Sequence, residues 1–260
     1  MSVALCLTGF IRDINYIKNI NIFYIINIKN KFEKLDIYYS CPSKLEEFCK
    51  NEFNKEYILS LFKNSILDNK IEFFVSFRDY DNKIFIEKSK ELGFPLITKK
   101  NYHPYRVLSC LNGFCETSKI VNKNINYDFV FFSRLDIIKD IVSIDEILKN
   151  KQITNTAYIW RTIPYRSNNN VEDRFFICSY DCIEKIIDFY NNISNIKINH
   201  NDIEIEVILG IFFNKFTDIK KLHLDGLQVS NNFALYNKQR IDEKYSINFI
   251  NKCNNLIHHN

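Results

Sequence analysis

Glycine and proline are scarce in this 260-residue chain, with 5 and 4 copies, and tryptophan and methionine occur once each. The few glycines never assemble into a GxGxxG turn or a P-loop, so Rossmann dinucleotide binding and P-loop hydrolysis lose their sequence support. The 8 cysteines, at positions 6, 41, 49, 110, 115, 178, 182 and 253, form no CxxC pair and have no zinc-like histidine spacing. They read as reduced, mostly buried small hydrophobes of a reducing compartment. No concentrated basic stretch occurs either: 35 Lys and Arg face 31 Asp and Glu, and the Lys-rich segments are interrupted by acids and aromatics. That excludes the charged face of a dedicated nucleic-acid binder. No apolar run is long and uncharged enough to span a bilayer, since even Ile20 to Ile28 is broken by asparagines. The chain passes from Met1-Ser2 straight into Val3 to Leu7 without a basic leader or a cleavage site. The expectation is a cytoplasmic protein with no transmembrane segment.

What is abundant is Ile, Asn, Lys, Phe and Tyr, residues with AT-rich codons, which fits an AT-rich bacterium, a protist or a large DNA virus. At 46% hydrophobic residues the chain can build a continuous core. It reads as a single domain over 1–232 followed by a polar C-terminal extension over 233–260.

Hydrophobic period and punctuation give an alternating order of elements. Val3 to Leu7 is a first strand closed by Thr8-Gly9, and Ile14 to Asn27 is helical. Asp36 to Ser40 is a second strand, broken by Cys41-Pro42. Helices follow from Ser43, with an acidic first turn, and over Lys55 to Leu67. Ile71 to Val75 is a third strand. Asp81 to Leu92 is a helix stopped by Gly93 and Pro95, and Pro104 to Asn122 is another, leading into a strand at Phe129 to Phe132. Ala157 to Trp160 and Arg174 to Cys178 are later strands, in a mixed region of the sheet. Asp181 to Asn191 and Asp202 to Lys215 are helices, and a last strand covers Lys221 to Leu224. This alternation predicts an α/β fold with a mostly parallel central sheet flanked by helices.

The most informative segment is Tyr127-Asp128-Phe129-Val130-Phe131-Phe132-Ser133-Arg134-Leu135-Asp136. An apolar run suited to a buried strand ends in charge, and alternation would project Phe132, Arg134 and Asp136 together. In a parallel sheet they would stand at the carboxyl edge, where α/β sheets bind ligands. Asp136 can ligate a divalent ion on a diphosphate and Arg134 can offset phosphate charge; alternatively the two form an ion pair that ends a strand. At the end of the first strand, Gly9 would permit close backbone approach and Arg12 could hold phosphate or base, or the segment is an ordinary strand-to-helix turn capped by Asp13. Asp173, beside Glu172 in a polar loop, can serve as general base toward an acceptor hydroxyl, or the two are a solvated loop pair. Glu206, one helical turn from Asp202, is a reserve carboxylate, also explained by helix-start chemistry. His223 can supply a metal nitrogen or be an ordinary packed histidine.

With these residues in view, the chain resembles a family of small glycosyltransferase-like proteins found in bacterial surface-polysaccharide loci and giant DNA viruses. The matching segments are Val3-Ala4-Leu5-Cys6-Leu7-Thr8-Gly9-Phe10-Ile11-Arg12, the Tyr127 to Asp136 segment, and Asp173-Arg174-Phe175-Phe176-Ile177 followed by the later Glu204-Ile205-Glu206 helix. The resemblance spans Val3 to Phe213. It implies a GT-A type fold, a nucleotide-sugar donor with UDP-sugar foremost, a glycan or glycoprotein acceptor, and a divalent metal (Mn or Mg) near Asp136. Arg134 stands where the first residue of the usual Asp-x-Asp motif would be. The alternative expectation is therefore a GT-A-like glycan- or nucleotide-binding protein, or a synthase subunit, without transfer activity.

Overall fold

The computed structural model describes residues 1–9, 32–42, 56, 60, 71–78, 80–98, 103–121, 123–134, 156–159, 175–198, 203–215 and 220–223. Among the described residues there are seven strands: β1 (Ser2–Thr8), β2 (Lys34–Pro42), β3 (Ile71–Arg78), β4 (Phe129–Arg134), β5 (Thr156–Ile159), β6 (Phe175–Cys178) and β7 (Lys220–His223). They form one sheet in the order β3-β2-β1-β4-β6-β5-β7. β6 is antiparallel to both its neighbours, and the other six strands share one direction. Four α-helices belong to the described residues: α1 (Asn82–Glu91), α2 (Pro104–Ile120), α3 (Cys182–Asn191) and α4 (Ile205–Lys215). The architecture is α/β with a mostly parallel central sheet flanked by helices, as expected from the sequence. The helices expected over Ile14 to Asn27 and from Ser43, most of that over Lys55 to Leu67, and the extension over 233–260 lie outside the described residues.

Central strands of a sheet covered on both faces must be apolar throughout. β1 and β4 meet this demand: Val3 to Leu7 and Phe129 to Phe132 are all buried. On one face the rings of Phe132 and Phe176 stack at 4.7 Å, Phe114 of α2 meets both, and Phe213 of α4 closes edge-on against Phe176 at 5.5 Å. On the other face Phe32 packs edge-on against Phe129 and Phe131.

Local chemistry sets the ends of α1. The Asp81 side chain accepts from the Lys83 amide at 2.9 Å, satisfying a first-turn donor. At the other end Gly93 takes φ 70°, and the amides of Gly93 and Phe94 bond to Lys90 and Ser89 carbonyls. This is the paired closure that a left-handed glycine permits. Both boundaries match the expected helix.

Three expected boundaries need correction. β2 does not break at Cys41-Pro42 but runs through both residues. Pro42 is tolerated because its pairing is with Arg78 of β3, while the ladder to β1 has already ended at Leu7↔Tyr39, so the absent amide leaves no β1 acceptor unpaired. β3 extends past Val75 to Arg78. α4 begins at Ile205 rather than Asp202, with the Glu204 carbonyl accepting the Ile208 amide at 3.1 Å. Asp202 itself lies outside the described residues.

A buried polar cluster sits toward the amino end of the sheet. Asp36 is fully buried, Tyr127 donates its hydroxyl to Asp36 Oδ2, Tyr38 and Tyr127 share a hydrogen bond of 2.6 Å, and Lys34 Nζ lies 3.2 Å from the same carboxylate oxygen. Burial and the Asp36 contact push the Tyr127 hydroxyl far above its ordinary pKa, so it acts as a donor at any working pH. Tyr127→Phe leaves the carboxylate short of a donor and is expected to cost about 1.5–3 kcal/mol in urea unfolding, the range for hydrogen bonds to a charged group. None of the described helices is long and apolar enough to cross a membrane.

Candidate active site at the carboxyl edge

The carboxyl ends of β1, β2, β3 and β4 lie side by side, and α2 is fixed against them. Thr117 does the fixing: its hydroxyl donates to the Leu7 carbonyl at 3.0 Å and accepts from the Ser40 amide at 3.2 Å, where the β1–β2 ladder ends. One turn earlier, a Cβ on Gly113 would lie 3.6 Å from Arg78 Nη2 and 3.8 Å from Thr8 Cβ. A turn before that, the Ser109 hydroxyl bonds to Tyr80, two residues past the end of β3, at 3.1 Å. The helix thus runs past the edge, with Thr8 and Arg78 against its Gly113 position.

Gly9 forms the turn that leaves β1. Its φ of 99° favours glycine, and a Cβ there would meet nothing within 4 Å. The requirement is therefore backbone conformation, with open space beside the chain. Tyr39 holds the turn by donating its hydroxyl to the Gly9 carbonyl at 2.9 Å. Burial drives the Tyr39 hydroxyl well above its ordinary pKa, and contact with Cys41 adds to the rise.

Thr8 pairs in register with Arg134, the last residue of β4, so Gly9 and Arg134 emerge on adjacent strands roughly 5 Å apart. β6 runs the other way and starts at this same edge, with Phe175 opposite Ser133. The chain therefore enters the sheet there two residues after Asp173. His223 ends β7 opposite Ile159, also at the carboxyl edge. Its strand is three positions from β4, roughly 14 Å at ordinary strand spacing. Glu206 is partly buried in the first turn of α4, a helix that packs over β6 through Phe213. Arg12, Asp136 and Asp173 lie outside the described residues, and Arg134 and His223 are described in backbone only.

One residue the sequence reading passed over belongs to this edge. Arg78 is partly buried at the end of β3, donates Nη1 to the Asn112 side chain, and lies against the Tyr80 ring at 5.9 Å. Its Nε is buried without a hydrogen-bond partner. The signal was available: Ile71 to Phe77 is largely apolar and closes with arginine, the same pattern that drew notice at Arg134. Ending the third strand at Val75 hid it.

The described polar side chains around Thr8, Tyr39 and Arg78 are hydroxyls, phenols, the Asn112 amide and one guanidinium. Among the described residues no three His, Cys, Asp or Glu side chains come together. This part of the edge does not fit a divalent cation, which needs oxygen ligands in number, and no chemical step is assigned to one there.

Gly113→Ala offers a check on this packing. The methyl group would meet its nearest neighbours at 3.6 Å and 3.8 Å, ordinary contact distances, inside a helix where glycine costs conformational entropy. The substitution is expected to stabilise the protein by about 0.5–1 kcal/mol in chemical denaturation.

No family model matches the chain, and no curated protein matches it. Among solved structures, mouse xyloside xylosyltransferase 1 in its apo form aligns at TM-score 0.45 and 11% identity, over 86% of this chain and 84% of that one. An active-site mutant of LgtC aligns at TM-score 0.41 and 10% identity, over 82% and 70%. The 4-diphosphocytidyl-2C-methyl-D-erythritol synthase of Anaerococcus prevotii aligns at TM-score 0.47 and 10% identity, over 95% and 93%. At such values none of them assigns a substrate or a site residue to this chain.

Proposed function

We propose that the protein is a GT-A-type glycosyltransferase that moves a sugar from a nucleotide-sugar donor, with a UDP-sugar foremost, to a hydroxyl of a glycan or glycoprotein acceptor. One observation carries the reading: the Gly9 turn, the Arg134 end of β4 and the start of β6 are neighbours on one carboxyl edge. Three segments singled out separately in the sequence thus converge on the edge where a parallel sheet receives a nucleotide.

In this scheme the donor diphosphate lies beside the Gly9 backbone, where no side chain intervenes, with Arg12 and Arg134 offsetting its charge. Asp173 takes the proton of the acceptor hydroxyl as its oxygen attacks the anomeric carbon. The bond from that carbon to the phosphate oxygen breaks, and the nucleoside diphosphate leaves with the electron pair. These arginines would stabilise the growing negative charge on the departing phosphate. Glu206 is the reserve base. Asp136, with His223, is the proposed ligand set for Mn or Mg, which when bound would supply further charge neutralisation at the phosphates.

A binding protein or synthase subunit without transfer is the second reading, favoured by Arg134 in the first position of the Asp-x-Asp motif. Donor consumption by the purified chain, followed for wild type and for Asp136→Ala and Asp173→Ala, separates the two. Transfer lost in both variants supports the enzyme; full transfer in both overturns the assignment, and no consumption by wild type with any acceptor supports the binding reading.

A further inference from the structure

A guanidinium removed from water needs an anion or a full set of acceptors. Arg78 has neither. Among the described residues its partners are the neutral Asn112 side chain and the Tyr80 ring, and no carboxylate lies within ion-pair distance. Glu116, one turn along α2 from Asn112, is taken up by Lys119 at 2.7 Å. The Arg78 Nε has no acceptor, and burial lowers the guanidinium pKa below its ordinary value, an effect that Tyr39, Glu116, Tyr80 and Tyr190 offset only in part. Nearby, Thr8 is 1% exposed and its hydroxyl also lacks a partner. Both adjoin Gly113, whose Cβ would lie 3.6 Å from Arg78 Nη2 and 3.8 Å from Thr8 Cβ. Two unsatisfied polar groups therefore adjoin one position of α2, at the edge where the Gly9 turn leaves β1.

We propose that Arg78 binds a phosphate of the donor nucleoside diphosphate, with the Thr8 hydroxyl beside it. This deepens the transferase reading and rests on it for the identity of the ligand. The arrangement explains why the cation is left uncompensated within the protein: the missing acceptors arrive with the ligand. Asn112 keeps the planar fork oriented, which suits a guanidinium for two-point contact with phosphate oxygens.

The test uses the full chain, with inorganic pyrophosphate, UDP, uridine and glucuronate as probes, in wild type, Arg78→Met and Arg78→Lys. Pyrophosphate and UDP are expected to bind wild type and to weaken roughly ten- to hundredfold in Arg78→Met, the loss of one charge-assisted contact. Unliganded Arg78→Met is expected to melt no lower than wild type, because a partly buried charge with an unpartnered donor has been removed. A residue with a purely structural role would give the opposite result. If Arg78→Met does melt lower, Arg78→Lys decides: pyrophosphate binding regained with the charge supports the proposal, and binding not regained overturns it. Pyrophosphate affinity equal in wild type and Arg78→Met overturns it, as does binding of glucuronate in preference to pyrophosphate. Arg78-dependent pyrophosphate binding without any donor consumption keeps the anion site and sinks the transferase reading; donor consumption that is indifferent to Arg78 does the reverse. Uridine, lacking phosphate, should not distinguish the variants.

Discussion

Asp173→Asn is expected to lower kcat for sugar transfer by roughly 10²–10⁴-fold, the contribution of a positioned general base, with little change in donor affinity. The amide keeps the size of the side chain and loses the ability to take a proton. Because the base acts only as the acceptor oxygen attacks, the loss should fall on kcat and kcat/KM alike, the pattern of an interaction made only in the transition state. Steady-state kinetics with a fixed acceptor, alongside donor binding by calorimetry, reads both quantities. A drop in donor affinity with kcat unchanged would transfer the role of Asp173 from proton acceptor to donor contact. An effect under about threefold on both, far below the usual general-base contribution, would pass the base to Glu206.

The second large effect concerns stability. Phe132→Ala is expected to cost about 3–5 kcal/mol, the range for deleting a buried aromatic ring. Phe132 is fully buried, stacks on Phe176 and meets Phe114 of α2, so its loss opens a cavity shared by β4, β6 and the helix that roofs the edge. Total stabilities of ordinary domains are about 5–15 kcal/mol, so the variant should show a large fall in urea midpoint. Phe132→Leu, which fills more of the space, should recover a large part of the loss. A cost below about 1 kcal/mol for the alanine variant would mean that the aromatic layer does not hold the edge together.

Parts of the fold set by local chemistry were legible in the sequence. The start of α1 follows from the Asp81 side chain and its end from Gly93, and each boundary needs only residues within a turn. β1 and β4 are equally legible, because strands buried on both faces have no polar alternation to blur them. Longer-range pairing was not. The mixed region expected there is present, but nothing near Phe175 signals that β6, and not β5, is the strand that runs against its neighbours, the reversal that starts it at the carboxyl edge. Pro42 looked like a break because the ladder to β1 could not be foreseen to end short of it. The acids around Asp202 looked like a first helical turn, yet the helix starts only after Glu204.

The candidate site divides in the same way. Gly9 and the end of β4 were marked by abrupt changes of residue type at strand ends. Arg78 carried the same mark but fell beyond a strand drawn too short. Its lack of compensation is visible only when Asn112, Gly113 and Thr8 are brought together from β1 and α2, which no sequence spacing links.

The central claim is that this carboxyl edge receives a nucleotide-sugar. Its most direct test is thermal denaturation of the purified chain with UDP, GDP, CMP and dTDP sugars, each with and without manganese, since a ligand bound only by the native state raises the melting temperature. A rise is expected with sugars of one base, UDP foremost, and it should be lost in Asp136→Ala where it depends on manganese. No rise with any of the four would contradict the claim.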